Sequence, residues 1–176
     1  MDEQEALLES AYASRGRIIQ LATEMEAMID LIISKYFTED TIKQEELIMT
    51  VLSPCVGLGK KSGLLEFVLS KKTENSKPDI DMLIGQIEKI VAQRNIFAHW
   101  PLDFSKVALQ LFKDKKTISF QRLKTSKDKG QIVLGGANLY EDINVNAWIG
   151  LIKEVNNSLW LYLKQNSAYP FQETTQ

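Results

Sequence analysis

A chain of 176 residues, 44% hydrophobic and 25% charged, has the size and balance of one globular domain and not those of a disordered chain. A formal net charge of −2 excludes a surface that coats a polyanion wholesale, so any nucleic-acid contact has to be local. The single cysteine, Cys55, excludes an internal disulfide and cannot hold a structural zinc by itself, which suits a reducing cytoplasm.

The first residues, Met1-Asp2-Glu3-Gln4-Glu5, are acidic and lead into an amphipathic pattern, whereas a secretory signal needs a basic start and a short apolar core. Export is not expected. Asp30, Glu66 and Lys153 interrupt the most apolar stretches, so no run reaches the roughly 18 to 20 residues that span a bilayer. The expectation is a cytoplasmic protein without membrane contact.

From Arg17 to Phe37, apolar residues recur at Ile18, Leu21, Met25, Met28, Ile29 and Ile32, the spacing of a helix with one buried face. The helix extends back through Leu7, Leu8 and Tyr12, with Gly16 weakening the continuation by about 1 kcal/mol relative to alanine. Gln44 to Leu52 is a shorter helix that stops before Pro54, and Gly57 and Gly59 mark a turn. Leu64, Leu65, Val68 and Leu69 define a third helix over Lys60 to Lys72, ended by the polar linker Thr73 to Lys77. The Gly57-Leu58-Gly59-Lys60-Lys61 segment lacks the spacing of a phosphate-binding loop and follows no strand.

Pro78 and Asp79 suit the first turn of a further helix, and the stripe Ile80, Leu83, Ile84, Ile87, Ile90, Val91 carries it on until Pro101 forces an end near His99 or Trp100. Beyond it the pattern turns to period two. Val107, Leu109 and Leu111, a turn at Asp114-Lys115-Lys116, then Ile118 and Phe120 read as a β-hairpin, with a third short strand at Gln131 to Leu134 ended by Gly135-Gly136. A last helix from about Asn144 to Lys164 shows Trp148, Ile152, Val155, Leu159 and Tyr162 on one face, and a polar, flexible tail fills about 166–176. The fold class is therefore mainly α: one domain over 1–176, a four- to five-helix bundle with a small antiparallel β-hairpin inserted at about 105–136, before the last helix.

The chemistry-bearing residues cluster at the end of the Pro101-terminated helix. The stripe Leu83, Ile87, Ile90 points next to position 94, which aims the Arg94 guanidinium at the core. A buried unpaired charge is costly, so Arg94 demands a partner, and either Glu24 or Glu26 on the first helix is a candidate for it. Asn95 and His99, four residues apart, share a face. Arg94 and His99 lie about 140° apart on an ideal helix, so they meet only if the arginine bends round, the last turn deforms, or a second protomer supplies its copy. Histidine suits general acid–base work and a guanidinium neutralises charge on a pentacoordinate phosphorus. RNA brings its own nucleophile in the 2′-hydroxyl, so such a site needs no metal and no cofactor. Asn95 would hold the imidazole in one tautomer or bind a phosphate oxygen, and Trp100 would line the cleft or staple the helix end.

The segment Ala92-Gln93-Arg94-Asn95-Ile96-Phe97-Ala98-His99 resembles the active-site motif of HEPN domains (higher eukaryote and prokaryote nucleotide-binding), an Arg followed after four to six residues by His. The surrounding layout is similar as well: a long first helix with acidic residues on its flank, a Leu-rich helix, a hairpin after the motif helix and a closing helix. The resemblance implies a metal-independent endoribonuclease with Arg94, Asn95 and His99 as catalytic residues and Glu24, Glu26 and Trp100 in support. It further implies a homodimer with the motif at a shared cleft, and toxin–antitoxin or phage-defence service with a cognate antitoxin as partner. The alternative it carries is a catalytically inactive HEPN-like module that binds RNA or protein.

Between Ser105 and Gly130 eight basic residues face two acidic ones. Among them, Lys113, Lys115, Lys116, Arg122 and Lys124 are candidates for RNA phosphate contacts. Lysines that keep an edge strand from pairing with other chains are the competing explanation.

Overall fold

A computed structural model of the chain describes residues 2–71, 77–122, 125–128, 131–134 and 139–165. The expected polar linker up to residue 76, Lys124, the Gly135-Gly136 turn and the tail from residue 166 lie outside them. The architecture is mainly α: long helices, with antiparallel β-pairing inserted before the last one. Among the described residues no helix is long and apolar enough to cross a membrane.

Helix α1 (Glu3–Phe37) runs unbroken through Gly16. The Asp40 carboxylate then opens α2 (Thr41–Leu47) by accepting from the backbone N–H groups of Ile42 and Lys43 at 3.0 and 3.3 Å. Sequence placed a stop before Pro54, but helical turns continue past it. A π-turn (Ile48–Leu52), in which the Ser53 N–H bonds to the Ile48 carbonyl, leads into a single turn, α3 (Ser53–Cys55), with Pro54 in its first positions. Proline lacks an N–H and clashes with the turn before it, and here that turn is the widened π-turn, whose i to i+5 bonding leaves room for the ring. Helix α4 (Leu58–Ser70) follows, and α5 (Lys77–His99) carries the motif.

The segment read as the first hairpin strand is instead a helix, α6 (Lys106–Lys115). Ser105 caps it, its Oγ accepting from the Ala108 N–H at 3.2 Å, and Lys116 closes it in the left-handed region at φ 53°. The turn expected at residues 114–116 is thus a helix end, and the β region lies further along than 105–136. Strand β1 (Thr117–Arg122) pairs antiparallel with β4 (Leu139–Asn144), Thr117 opposite Asn144 and Arg122 opposite Leu139. Nested between them in sequence, β2 (Thr125–Asp128) pairs with β3 (Gln131–Leu134), the strand that periodicity placed there. Asn144 then caps α7 (Val145–Gln165), its side chain accepting from the Ala147 N–H.

The chain forms two compact units, and α1, α5 and α7 each contribute a stretch to both. One comprises residues 1–20 and 92–150 and buries Leu7, Ala11, Ile18, Phe97, Phe120 and Ile143. The other comprises 21–91 and 151–176 and buries Met25, Ile29, Leu65, Ile87, Val155 and Leu159 at three- and four-residue spacings.

Candidate active site at the end of helix α5

The first unit fixes the carboxyl end of α5 through backbone and aromatic contacts. Pro101 cannot extend the helix, and the Trp100 N–H closes its last turn on the Ile96 carbonyl at 2.9 Å. The departing chain is then stitched to β1. Gln121 donates its N–H to the Pro101 carbonyl at 3.0 Å, Asp103 donates to that of Ser119 at 2.9 Å, and Leu102 bridges Phe120. Beneath them Phe97 packs edge-on against Phe120 with ring centroids 4.8 Å apart. His99 therefore has a backbone held by its neighbours and a side chain in solvent.

Arg94 departs from its expected place. The buried positions of this last stretch are Gln93 and Phe97, and Arg94 is half-buried at their margin. An aromatic ring with a partner ring gains more from the core than a guanidinium does, so Phe97 decides which face turns inward. Nη1 of Arg94 donates to Oδ1 of the exposed Asn95 at 3.3 Å, a bond between sequence neighbours at the surface.

Glu26 has a cation of its own within the second unit. It accepts from the ammonium of Lys61 at 2.7 Å, and the same nitrogen lies 2.8 Å from Oδ2 of Asp30, all within the second unit. Lys61 is wholly buried, and Asp30 accepts a further hydrogen bond from Ser53 at 3.5 Å. Burial pushes the Asp30 carboxyl above its ordinary value, outweighing the Lys61 hydrogen bond and charge that pull it down. Glu24 is exposed on α1. Sequence reasoning missed Lys61 because a lysine beside Lys60 reads as a solvated pair. Its signal was position: Lys61, Leu65 and Val68 fall on one helical stripe.

His99 does have a guanidinium for a neighbour, from α1. A pocket of about 350 Å³ at the end of α5 is lined by Arg15, His99, Tyr12, Trp100, Leu102 and Phe104 among others, and Arg94 is not part of its lining. Nη2 of Arg15 donates to the Trp100 carbonyl at 3.2 Å across 85 residues of sequence. Periodicity carried a signal for it: Arg15 falls on the stripe of Leu7, Ala11, Ile18 and Ala22, whereas Arg17 is exposed off that stripe.

Lys113, Lys115 and Lys116 are exposed at the end of α6, where Lys113 forms a surface ion pair with Glu3 at 3.2 Å. Arg122 ends β1, and Lys124 lies outside the described residues. Among the described residues no three His, Cys, Asp or Glu side chains gather as a metal-ligand set. No protein-family model, no curated protein and no solved structure matches this chain.

Proposed function

We propose that the chain is a metal-independent endoribonuclease of HEPN type, with His99 as its proton-transfer group. The observation that supports this reading most is the placement of the only histidine. It is exposed on a tethered helix end, lines an open pocket that also holds a guanidinium, and lies one turn beyond the Arg94–Asn95 pair.

In the proposed step the imidazole of His99 takes the proton of a ribose 2′-hydroxyl as that oxygen attacks the adjacent phosphorus. The bond from phosphorus to the 5′ oxygen breaks, and the departing oxygen leaves with a proton from water. The products are a 2′,3′-cyclic phosphate and a 5′-hydroxyl. Arg94 stabilises the charge on phosphorus, and Asn95 holds the arginine through the bond it accepts. A homodimer with the motif at a shared cleft brings a second Arg94 to the site, and a cognate antitoxin is the partner class that a toxin or phage-defence role requires.

The test is cleavage of total RNA by purified protein in excess chelator, with mapping of product ends. Cyclic phosphate ends that vanish with His99→Ala support the proposal. Absent cleavage, or cleavage indifferent to His99→Ala, leaves the second reading, a catalytically inactive module that binds RNA or protein. The exposure of Lys113, Lys115 and Lys116 favours that reading over a plain structural protein.

A further inference from the structure

We infer that Arg15 is a further cation of this site, holding the scissile phosphate beside His99 within a single chain, in addition to the charge stabilisation that Arg94 supplies. The identity of the anion as an RNA phosphodiester rests on the ribonuclease reading; the anion site itself does not.

Arg15 is half-buried, and its Nε is shut off from solvent with no hydrogen-bond partner among the described residues. One of its remaining N–H groups is used on the Trp100 carbonyl. No carboxylate forms an ion pair with it among the described residues. A guanidinium in that position is under-neutralised, and a partly desolvated positive charge binds an anion more strongly than one in bulk water. Helix geometry adds an opposing effect. The carboxyl end of α5 presents partial negative charge, which helps to hold Arg15 in place but is too weak to neutralise a full unit.

The pocket supplies the rest of an anion site. Arg15 and His99 line it together, while Tyr12, at 58% exposure, and Phe104, at 42%, offer open aromatic rings to whatever lies beside the anion. Aromatic faces next to a cation suit the base and phosphate of a single-stranded polynucleotide. Arg94, by contrast, is bonded to Asn95 outside this pocket. Arg15 and His99 both belong to one compact unit of one chain, so the pair requires no second protomer.

His99 is the only histidine, so its ring resonances in an NMR spectrum are unambiguous. Titration of inorganic phosphate into the intact protein is expected to move the His99 signals. Arg15→Gln, whose amide retains a donor for the Trp100 carbonyl, is expected to weaken that response roughly tenfold, and Arg17→Gln to leave it intact. In the chelated cleavage assay Arg15→Gln is expected to lower the rate about a hundredfold with unchanged melting temperature. Should Arg15→Gln fail to fold, the native protein decides: phosphate is expected to protect Arg15 from phenylglyoxal, read by peptide mass spectrometry. A phosphate response that is absent, equal in Arg15→Gln, or unaccompanied by protection of Arg15 overturns the inference. A phosphate response lost in Arg15→Gln without any RNA cleavage keeps the anion site and removes the ribonuclease reading instead.

Discussion

The ammonium of Lys61 lies 2.8 Å from Oδ2 of Asp30, with the lysine side chain fully withdrawn from solvent and the aspartate 4% exposed. Two carboxylates, Asp30 and the half-buried Glu26, converge on this one nitrogen. Removing the cation leaves Asp30 uncompensated, so Lys61→Met is expected to destabilise the protein by about 3–5 kcal/mol in urea unfolding. Because desolvation of the pair nearly cancels its attraction, adding Asp30→Leu is expected to restore most of the loss. A Lys61→Met protein of native stability would show that the cluster carries no structural weight.

The same carboxyl gives the protein a pH dependence of defined sign. Burial raises the Asp30 pKa above its ordinary value of 3.8, so the folded state holds this proton more tightly than the unfolded state does. Its contribution to stability is complete below about pH 3.8 and is lost as pH rises through the folded-state value. The difference in unfolding free energy between wild type and Asp30→Asn should accordingly shift against wild type as pH increases from 3.8 upward. A shift in wild type's favour over that range would mean that Lys61 dominates over desolvation.

Elements whose apolar spacing is long and singly periodic were legible in the residues. The stripes of α1, α5 and α7 and the end of α5 at Pro101 follow from them, as does the short strand Gln131–Leu134. The segment from Val107 to Phe112 was not. Its apolar residues 107, 108, 109, 111 and 112 fit either period, and Ser105 as a cap decides for the helix. Strand β4 escaped notice because Tyr140-Glu141-Asp142-Ile143 is polar where a buried strand is apolar. At the site, local spacing located His99 but misplaced Arg94, because the inward face of a helix is set by what packs on it. Local pattern can put Arg15 and Lys61 on buried stripes, but their partners lie 85 and 31 residues away and no local pattern names them.

Phe97 and Phe120 are both fully buried, and their rings meet edge to face at 65°. Either alanine substitution opens a cavity and is expected to cost about 3–5 kcal/mol. A double-mutant cycle should return a coupling of about 0.5–1.5 kcal/mol from the ring pair itself. Since Phe97 lies two residues before His99, the milder Phe97→Leu should depress cleavage more than its loss of stability accounts for. Strict proportionality between the two would indicate that this core supports the fold without positioning the imidazole.

Gly16 interrupts nothing: α1 continues through it, and a Cβ built there would meet no atom within 4 Å. Only the entropy of the unfolded chain and the poor helix propensity of glycine remain, so Gly16→Ala is expected to stabilise by about 1 kcal/mol. Thermal unfolding checks this. A loss would mean that the bare backbone at Gly16, beside Arg15, matters, and phosphate binding by the variant would then fall with it.

Lys116 sets backbone strain against function. Its left-handed φ of 53° costs a non-glycine residue about 1 kcal/mol, whereas its ammonium, 5.1 Å from the centre of the Phe112 ring, returns about 0.5 kcal/mol at the surface. The strain is the larger, so Lys116→Gly is expected to gain about 0.5 kcal/mol. Protection of an edge strand does not account for lysine here, because Lys113, Lys115 and Lys116 lie on α6 and its cap rather than along a strand. If these lysines contact RNA phosphates, Lys116→Gly should bind single-stranded RNA more weakly. The slope of log affinity against log salt should fall by about 0.7. A variant that is more stable and binds RNA with an unchanged salt slope would remove Lys116 from the RNA-contacting surface.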